Sequence, residues 1–533
     1  MAIITHKPFS IGYSGHANLF ELFSKNAQLF PKKKYLFFKN ISYTYKEMKE
    51  KMVHTAKVLV NNGVEKGRRV ALLMGNSPEY LFAYFGAVML GAVMVPMNIF
   101  LTEREIAVNM NDCEAEYMIT SEQFAKSVAG LRNHVGSLKL LFTYEDTSFK
   151  SININSQDVS GVSVTSNAGR QDLASLVYTS GTTGKPKGVM LTHNNLLHNA
   201  YDFSTVLRAK QGKDRFVCIL PMFHSYTFMG CIVGPLVSSS SVLLFESVMD
   251  ATKSSFKKAL LLRRPSVMVG VPQIYSAMAK KKVSFIQRLL FPFRLTASGG
   301  ASLPRDTMNA FYKNYGQYIV EGYGLSEASP IVSFNPVKRP KPGSVGLPFP
   351  NLQIKIVDKD DNELPFGQPG ELCVKGDSVM QGYWNQPVET ANVIRNGWLH
   401  TGDIAVMDEE GYFAIVDRIK DMIITKGINV YPSEIEELLY LYPGVNHAAV
   451  IGVPETDGSE TIIAYVTTEP GAEVTEKKLK DYTKKNLAAF KVPKTFVFID
   501  TLPMTQTGKV LKRELKKMVM NGEIRYKNTA FSV

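Results

Sequence analysis

Cysteine is scarce in this sequence and poorly placed for two common uses. Cys113, Cys218, Cys231 and Cys373 are the only four in 533 residues, and no two stand close enough to form a zinc knuckle or to begin a disulfide framework. A reducing compartment is therefore expected. The amino terminus, Met1-Ala-Ile-Ile-Thr-His-Lys-Pro8, lacks the basic start, apolar middle and cleavage site of a secretory signal. Long unbroken hydrophobic runs are missing as well. Residues 80–98 are interrupted by Gly91 and Pro96, and residues 216–245 by Pro221, His224 and Pro235, so neither reads as an unassisted membrane span. Asn76-Ser77-Pro78 instead predicts a helix start, then a helix and a short strand. Between Asp250 and Asp306 there is no acidic residue, while Lys253, Lys257, Lys258, Arg263, Arg264, Lys280, Lys281, Lys282, Arg288 and Arg294 lie inside, interleaved with Phe285-Ile-Gln-Arg-Leu-Leu-Phe-Pro-Phe293. Residues 253–294 read either as a patch for an anionic membrane surface or as a solvated basic face. The expected location is the cytoplasm, with peripheral contact at the inner face of the membrane left open.

What is present fits a soluble globular protein, with 45% hydrophobic and 20% charged residues. The length exceeds one ordinary core, so at least two domains are expected. A net charge of +13 favours anionic partners such as nucleotides, CoA-like phosphates, nucleic acid or anionic lipid, without choosing among them. Short apolar strands alternate with helical periodicity from Leu36 through Leu138-Lys-Leu-Leu-Phe142. The alternation resumes after residue 190 with Val217-Cys-Ile-Leu, Val242-Leu-Leu-Phe, Val267-Met-Val-Gly and Arg294-Leu-Thr-Ala. From about Pro336 to Gly402 the pattern changes to β runs separated by Gly, Pro and Asn, a small β subdomain. From Asp421 onward a smaller α/β alternation follows.

The densest chemistry is in residues 178–188, Tyr-Thr-Ser-Gly-Thr-Thr-Gly-Lys-Pro-Lys-Gly. Glycines let backbone N–H groups turn inward, hydroxyls add donors and lysines add charge, which together make an anion cradle. Leu173-Ala-Ser-Leu-Val177 predicts a short buried strand leading into it. The loop is not a Walker loop, because Gly184-Lys185 is followed by Pro186 and not by Ser or Thr. Pro221-Met-Phe-His224 places an imidazole after a buried strand, although a lone His is more often a satisfied core residue. Ser298-Gly-Gly300-Ala301 and Glu321-Gly322-Tyr323-Gly324-Leu-Ser326-Glu327 predict strand-end turns. In the second, Tyr323 offers a ring for a base and Glu327 a hard oxygen ligand for a phosphate-bound Mg²⁺. Thr401-Gly402-Asp403 exposes a carboxylate that can accept both hydroxyls of a ribose diol. Asp417-Arg418-Ile-Lys420-Asp421 is a charge-dense link between two textures, and Gly508-Lys509 sets a lysine after a turn near the end.

These sets, in this order, resemble the adenylate-forming superfamily of acyl- and aryl-CoA synthetases, luciferases and peptide synthetase adenylation domains, from about residue 20 to 520. Within it the sequence is most similar to bacterial fatty acyl-CoA synthetases. The resemblance implies an α/β fold: a large N-terminal domain, 1–416, of two α/β sheet subdomains and a small β-barrel subdomain, a hinge at 417–420, and a small mobile α+β domain, 421–533. It also implies that Thr179, Ser180, Gly181, Thr182, Thr183, Gly184 and Lys187 hold the β- and γ-phosphates of ATP. Gly300, Ala301, Gly322, Tyr323 and Gly324 would line the nucleotide site, with Tyr323 on adenine. Ser326 would meet the α-phosphate and Glu327 the Mg²⁺, while Asp403 and Arg418 would grip the ribose. Lys509 would bridge the attacking carboxylate and the α-phosphate, Lys420 would be the hinge, and Lys426 would belong to the thioester-forming face. His224 joins the catalytic set. Many members have Thr where Ser326 stands, and the hydroxyl is kept.

The chemistry implied is attack of a carboxylate on the α-phosphorus of ATP with loss of pyrophosphate, then attack of a CoA thiolate on the acyl-adenylate. No hydrolase triad is found that would supply a Ser or Cys nucleophile. Residues 216–245 contain no acidic residue to hold a substrate ammonium, so an amino acid substrate is not expected. Phe228-Met-Gly-Cys-Ile-Val-Gly-Pro-Leu236, with small residues at Gly230 and Gly234, reads either as the wall of an alkyl tunnel or as close helix packing. A medium- or long-chain fatty acid with CoA as acceptor is the expectation. An aryl-CoA ligase, or an acyl-AMP ligase or acyl-ACP synthetase loading a carrier protein, is the alternative. No nucleic-acid partner is expected, and the oligomeric state, a homodimer included, stays open.

Overall fold

The computed structural model describes residues 15–180, 186–281, 283–284, 288, 291, 293–425, 428–455, 460–504 and 510–521. It divides into two compact units. The first comprises residues 1–299, 305–354 and 374–399, and the second residues 300–304, 355–373 and 400–533.

The first unit is built on two sheets. A seven-stranded sheet runs in the order Ile152–Asn153, Leu140–Thr143, Tyr117–Ile119, Arg69–Leu72, Val93–Pro96, Leu173–Ser180, Pro186–Thr192. All its neighbours are parallel except the last pair, a hairpin. Its inner strands are apolar runs because both faces are covered, and Val95, Met118, Leu141 and Leu176 pack in one core with Ile106 and Met110 of the helix Glu103–Asp112. The predicted helix start at Asn76-Ser77-Pro78 is realised. Ser77 caps the helix Pro78–Met89 by accepting from Tyr80 N, and the strand Val93–Pro96 follows.

A nine-stranded sheet runs in the order Leu347–Pro348, Ile331–Phe334, Ile319–Gly324, Leu295–Ser298, Val267–Gly270, Arg215–Cys218, Ser241–Leu244, Lys34–Phe38, Ile41–Thr44. Its middle strands, from Ile319–Gly324 through Lys34–Phe38, are mutually parallel. Their carboxyl ends therefore lie along one edge, where open α/β sheets bind ligands. The strand expected from Val217 towards His224 is short and stops at Cys218, since Pro221 has no N–H to continue a ladder.

A five-stranded half-barrel sheet contains Leu352–Val357, Gly370–Gly376, Ile394–Arg395, Trp398–Met407 and Phe413–Arg418. In the second unit, the strands Val445–Pro454, Glu460–Thr468 and Thr495–Phe498 form a sheet buried on both faces. Val450, Ile462 and Ala464 face a core with Ile435 and Leu439 of the helix Pro432–Tyr440. Their neighbours Ile451, Ile463 and Tyr465 face another with Leu515 of the helix Lys512–Met520. The period of two along each strand thus serves two cores, which is why the sequence there is a continuous apolar run. Among the described residues no helix is long and apolar enough to cross a membrane.

The basic stretch 253–294 is not one uniform face. Arg294 turns inward to pair with buried Asp214 at 2.6 Å, Lys253 pairs with Asp250 at 2.7 Å, and the Arg263 guanidinium lies 4.8 Å from the Phe37 ring centre. Lys282, Phe285, Ile286, Gln287, Leu289, Leu290 and Pro292 of that stretch lie outside the described residues.

Candidate active site

The expected strand into the cradle is longer than its apolar core. Leu173–Ser180 runs through Tyr178 and Thr179 and returns antiparallel as Pro186–Thr192, with Thr179 opposite Lys187 and Ser180 opposite Pro186. Proline at the first residue of a strand loses no needed donor. Gly181, Thr182, Thr183 and Gly184 lie outside the described residues. The hairpin is pinned from the side close to its loop end, at the Tyr178–Gly188 pair. The Tyr178 hydroxyl donates to Asp112 Oδ2 at 2.5 Å, and Trp384 Nε1 donates to the Asp112 carbonyl at 3.2 Å. The Trp384 N–H donates to Gly188 O at 2.8 Å, so residues 381–384 lie along the return strand. Lys187, assigned by resemblance to phosphate, is buried. Its ammonium is paired with the Glu389 carboxylate and sits 5.0 Å from the centre of the Tyr383 ring.

Thr192 then caps the helix His193–Val206, accepting from Asn195 N at 3.1 Å while Asn195 Oδ1 accepts from Thr192 N at 2.8 Å. One turn further on, the buried Asn199 amide donates to Ile331 O at 2.7 Å, and its Oδ1 accepts from Ile331 N at 3.2 Å. It also donates to Ala328 O at 3.3 Å. The helix that follows the cradle therefore holds the turn that carries Glu327.

That turn lies at the carboxyl edge of the nine-stranded sheet. Gly322, Tyr323 and Gly324 close the strand Ile319–Gly324, and Ser326 and Glu327 occupy the single helical turn Ser326–Ala328. Ser326 Oγ is 3.1 Å from Ser225 Oγ, which brings in the segment after the strand Arg215–Cys218. There His224 precedes the short helix Ser225–Phe228, its ring 4.3 Å from that of Phe223. Burial lowers its pKa to about 4, so the imidazole is neutral at physiological pH. The Tyr226 hydroxyl donates to Gly270 O at 3.1 Å, at the end of the strand Val267–Gly270. Glu327 Oε1 accepts from the Tyr383 hydroxyl at 2.8 Å, and its backbone carbonyl accepts from Met380 N at 2.9 Å.

The second unit carries the other described residues. Gly300 has φ +83°, a left-handed conformation that glycine adopts without strain, and Ala301 follows it. Asp403 is buried and cross-strand paired with Arg418, whose Nε is 3.1 Å from Asp403 Oδ1. Thr401-Gly402-Asp403, expected from the sequence to be a turn exposing a carboxylate, instead lies within the continuous strand Trp398–Met407, which buries the Asp403 side chain, and a neighbouring strand holds Gly402 in place. Glu371 Oε1 accepts from Gly402 N at 3.0 Å, and Oε2 is 2.9 Å from His400 Nδ1, with Cys373 Sγ 3.3 Å from the same nitrogen. These three side chains are close enough to hold a metal ion, and because Glu371 also accepts from the Gly402 N–H the group is tied to the strand that carries Asp403, so we read it as a structural clasp. In the charged link, Asp417 is buried and accepts from Arg418 N at 2.7 Å and Ser433 N at 2.8 Å, whereas Lys420 is exposed. Lys426 and Lys509 lie outside the described residues.

In the segment read as either tunnel wall or packing, both glycines sit in close packing. Met229–Val233 is wound as a π-helical turn, and a Cβ on Gly234 would come within 2.5 Å of the Phe203 ring, one on Gly230 within 3.2 Å of Val269. The glycines let those side chains in. Sequence reasoning missed Tyr383, Glu389 and Asn199. Tyr383 had a visible signal, an aromatic pair set between turn formers in Gly382-Tyr-Trp-Asn-Gln-Pro387, whereas Glu389 had none because its partner Lys187 is 202 residues away. Asn199 had none, since its role depends on a contact 132 residues away.

Comparison with known proteins extends this picture over most of the chain. The family described as AMP-binding enzyme matches residues 23–384, and the AMP-binding enzyme C-terminal domain matches 434–509. A long-chain-fatty-acid–CoA ligase of Escherichia coli O6:H1 is 36% identical over 506 residues, covering 89% of each chain. A feruloyl-CoA synthase of Amycolatopsis sp. is 35% identical over 476 residues, covering 89% of this chain and 93% of its own. The crystal structure of ATP-bound MatB from Rhodopseudomonas palustris superposes with a TM-score of 0.85 at 31% identity, covering 95% of this chain and all of that one.

Proposed function

The chain belongs to the AMP-binding enzyme family, an acid–thiol ligase by that membership, and from this premise we propose that it activates a medium- or long-chain fatty acid to acyl-AMP and then to acyl-CoA. The observation that carries the reading is the meeting of Ser225, Ser326, Glu327 and Tyr383 beside the cradle hairpin, at the carboxyl ends of parallel strands. Nothing in that set is an activated nucleophile, as expected where the enzyme aligns and neutralises two anionic reactants instead of attacking one.

The described residues fit the partners this reaction needs. Glu327 accepts one hydrogen bond through Oε1, and among the described residues Oε2 accepts none, so an oxygen is available for Mg²⁺. Bound there with ATP, the ion would offset phosphate charge. Tyr383 holds the carboxylate in orientation. Ser326 donates towards the α-phosphate, sharing its hydroxyl with Ser225. Neutral His224 adds no charge beside the carboxylate being activated. Thr179, Ser180 and Lys187 take the terminal phosphates, with Glu389 setting how much of the lysine's charge they receive. Asp403 and Arg418 bind the ribose, and Lys509 offsets charge at the bond being formed. The boundary between the two catalytic domains is placed at 417–420, with Lys420 as hinge and Lys426 serving thioester formation.

A fatty substrate is favoured by the relatives named for long-chain fatty acids and by the absence of acidic residues from 216–245. An aryl acid is the second reading, favoured by the feruloyl-CoA synthase at nearly the same identity. The test is pyrophosphate release with ATP, Mg²⁺ and a panel of acids, followed by CoA-dependent thioester formation. Release with saturated fatty acids and not with cinnamic or benzoic acids is expected. Release with the aryl acids alone would replace the fatty reading by the aryl one, and release with no acid would remove both.

A further inference from the structure

The helix Ser254–Arg263, at the start of the basic stretch, is inverted relative to an ordinary surface helix. Its inward side is held by buried Phe256, whose ring lies 4.8 Å from that of Phe245, and by Arg263, stacked on Phe37. At 100° per residue the opposite side collects Ser254, Lys257, Lys258, Leu261 and Leu262. Leu261 and Leu262 are 57% and 69% exposed, and each follows a lysine by one turn: Lys257 before Leu261, Lys258 before Leu262. Arg264 ends the helix in the left-handed conformation, at φ +43°, and is exposed.

Isolated exposed leucines are common and carry no message. Two adjacent ones, on a helix whose own core contacts are made by other residues, are different. The only charges on that face are lysines, and no acidic residue occurs between Asp250 and Asp306. An acidic protein would satisfy the lysines but leave the leucines wet. An anionic bilayer satisfies both, because leucines enter the acyl boundary while lysine stems lie along it with their ammonium groups at the phosphates.

We propose that the outward face of Ser254–Arg263, formed by Lys257, Lys258, Leu261 and Leu262, docks this protein on an anionic membrane surface. The inference supplies a source for the fatty substrate under the reading given above, yet it stands on surface chemistry alone. Of the broad stretch 253–294 it uses one helix, and three of the other basic residues, Lys253, Arg263 and Arg294, are engaged within the fold.

The test is co-sedimentation of the full chain, without ATP or acid, with vesicles of phosphatidylcholine alone or mixed with phosphatidylglycerol. Wild type is expected to bind only the mixed vesicles and to be released by salt. Leu261→Ser/Leu262→Ser and Lys257→Glu/Lys258→Glu should each lose tenfold or more in binding. Lys484→Glu/Lys485→Glu, the same charge change on another exposed helix, should not. Pyrophosphate release without vesicles, and melting temperature, should stay at wild-type values in all three, which separates failure of docking from failure of the enzyme reading. Absence of wild-type binding, equal loss in the control, or retained binding in the leucine variant overturns the proposal. So does a wild-type dimer in light scattering that the leucine variant abolishes, because the face would then be covered by a second copy.

Discussion

The Tyr383 hydroxyl donates a 2.8 Å hydrogen bond to Glu327 Oε1, and the same ring lies under the Lys187 ammonium at 5.0 Å. One side chain thus touches both the group expected to hold Mg²⁺ and a cation assigned to phosphate. Burial beside Glu327 pushes the phenol far above its ordinary pKa, so it remains a donor throughout the working range. Tyr383→Phe should keep the ring under Lys187 but release the carboxylate. Pyrophosphate release is expected to fall by about tenfold to a hundredfold, with a higher Mg²⁺ requirement, as for loss of one hydrogen bond to a charged group. Glu327→Gln should fall by at least about a hundredfold, on the scale of losing a principal electrostatic contact. A Mg²⁺ titration that leaves the Phe variant indistinguishable from wild type would show that Tyr383 only packs.

Much of this site was legible in the sequence because its parts are local. Glycine, hydroxyl and lysine within residues 178–188 announce an anion site whatever the fold, and strand-end turns such as Gly322–Gly324 follow from short apolar runs ending in glycine. The helix Tyr45–Asn61 and the strand Val267–Gly270 were bounded by their own periodicity and breakers. What could not be read was long-range pairing. The Lys187–Glu389 ion pair joins residues 202 apart, and Asn199 and Ile331 are 132 apart. Neither separation leaves a periodic trace. The strand order of the nine-stranded sheet was hidden for the same reason. So was the fate of the basic stretch, where Arg294 and Lys257 are both simply basic in the sequence but one is half-buried and paired with Asp214 and the other exposed.

Lys509 separates the two half-reactions under the proposed mechanism. Lys509→Ala should abolish adenylation, followed as acid-dependent pyrophosphate release. It should leave thioester formation from preformed acyl-AMP and CoA largely intact, because in that step no carboxylate attacks the α-phosphorus and the two groups the lysine bridges are already joined. Equal loss in both assays would show that the lysine serves the whole enzyme.

Gly234 discriminates packing from substrate selection. An added methyl would meet the Phe203 ring at 2.5 Å and Met229 O at 3.0 Å, both inside the first unit's core. Gly234→Ala is therefore expected to destabilise by about 1–3 kcal/mol, as overpacking does, and to lower the melting temperature. Relative rates across a series of fatty acids should be unchanged. A shift towards shorter chains without loss of stability would place this glycine on the acyl path after all.

Asp202 makes a prediction whose sign is fixed by its burial. It lies on the helix His193–Val206, 3% exposed, and burial pushes its pKa up to about 7 even though Asn351 donates to it from both backbone and side chain. Its folded-state pKa is thus above the ordinary 3.8. Between those two values the folded protein binds the proton and the unfolded chain does not, so this group's contribution to stability is greatest below about pH 4 and is lost as pH rises through 7. The full span is at most about 4 kcal/mol, taking 1.36 kcal/mol per pKa unit. Asp202→Asn keeps an acceptor for the backbone N–H of Asn351, whose amide can turn to receive the new NH₂, and it carries no charge at any pH. The melting temperature of wild type should therefore decline relative to the variant as pH is raised from 4 to 7, and the two should then run parallel above about pH 8. Curves already parallel from pH 4 upward would mean that the carboxylate is ionised in the folded protein, with its two hydrogen bonds from Asn351 outweighing the cost of burial.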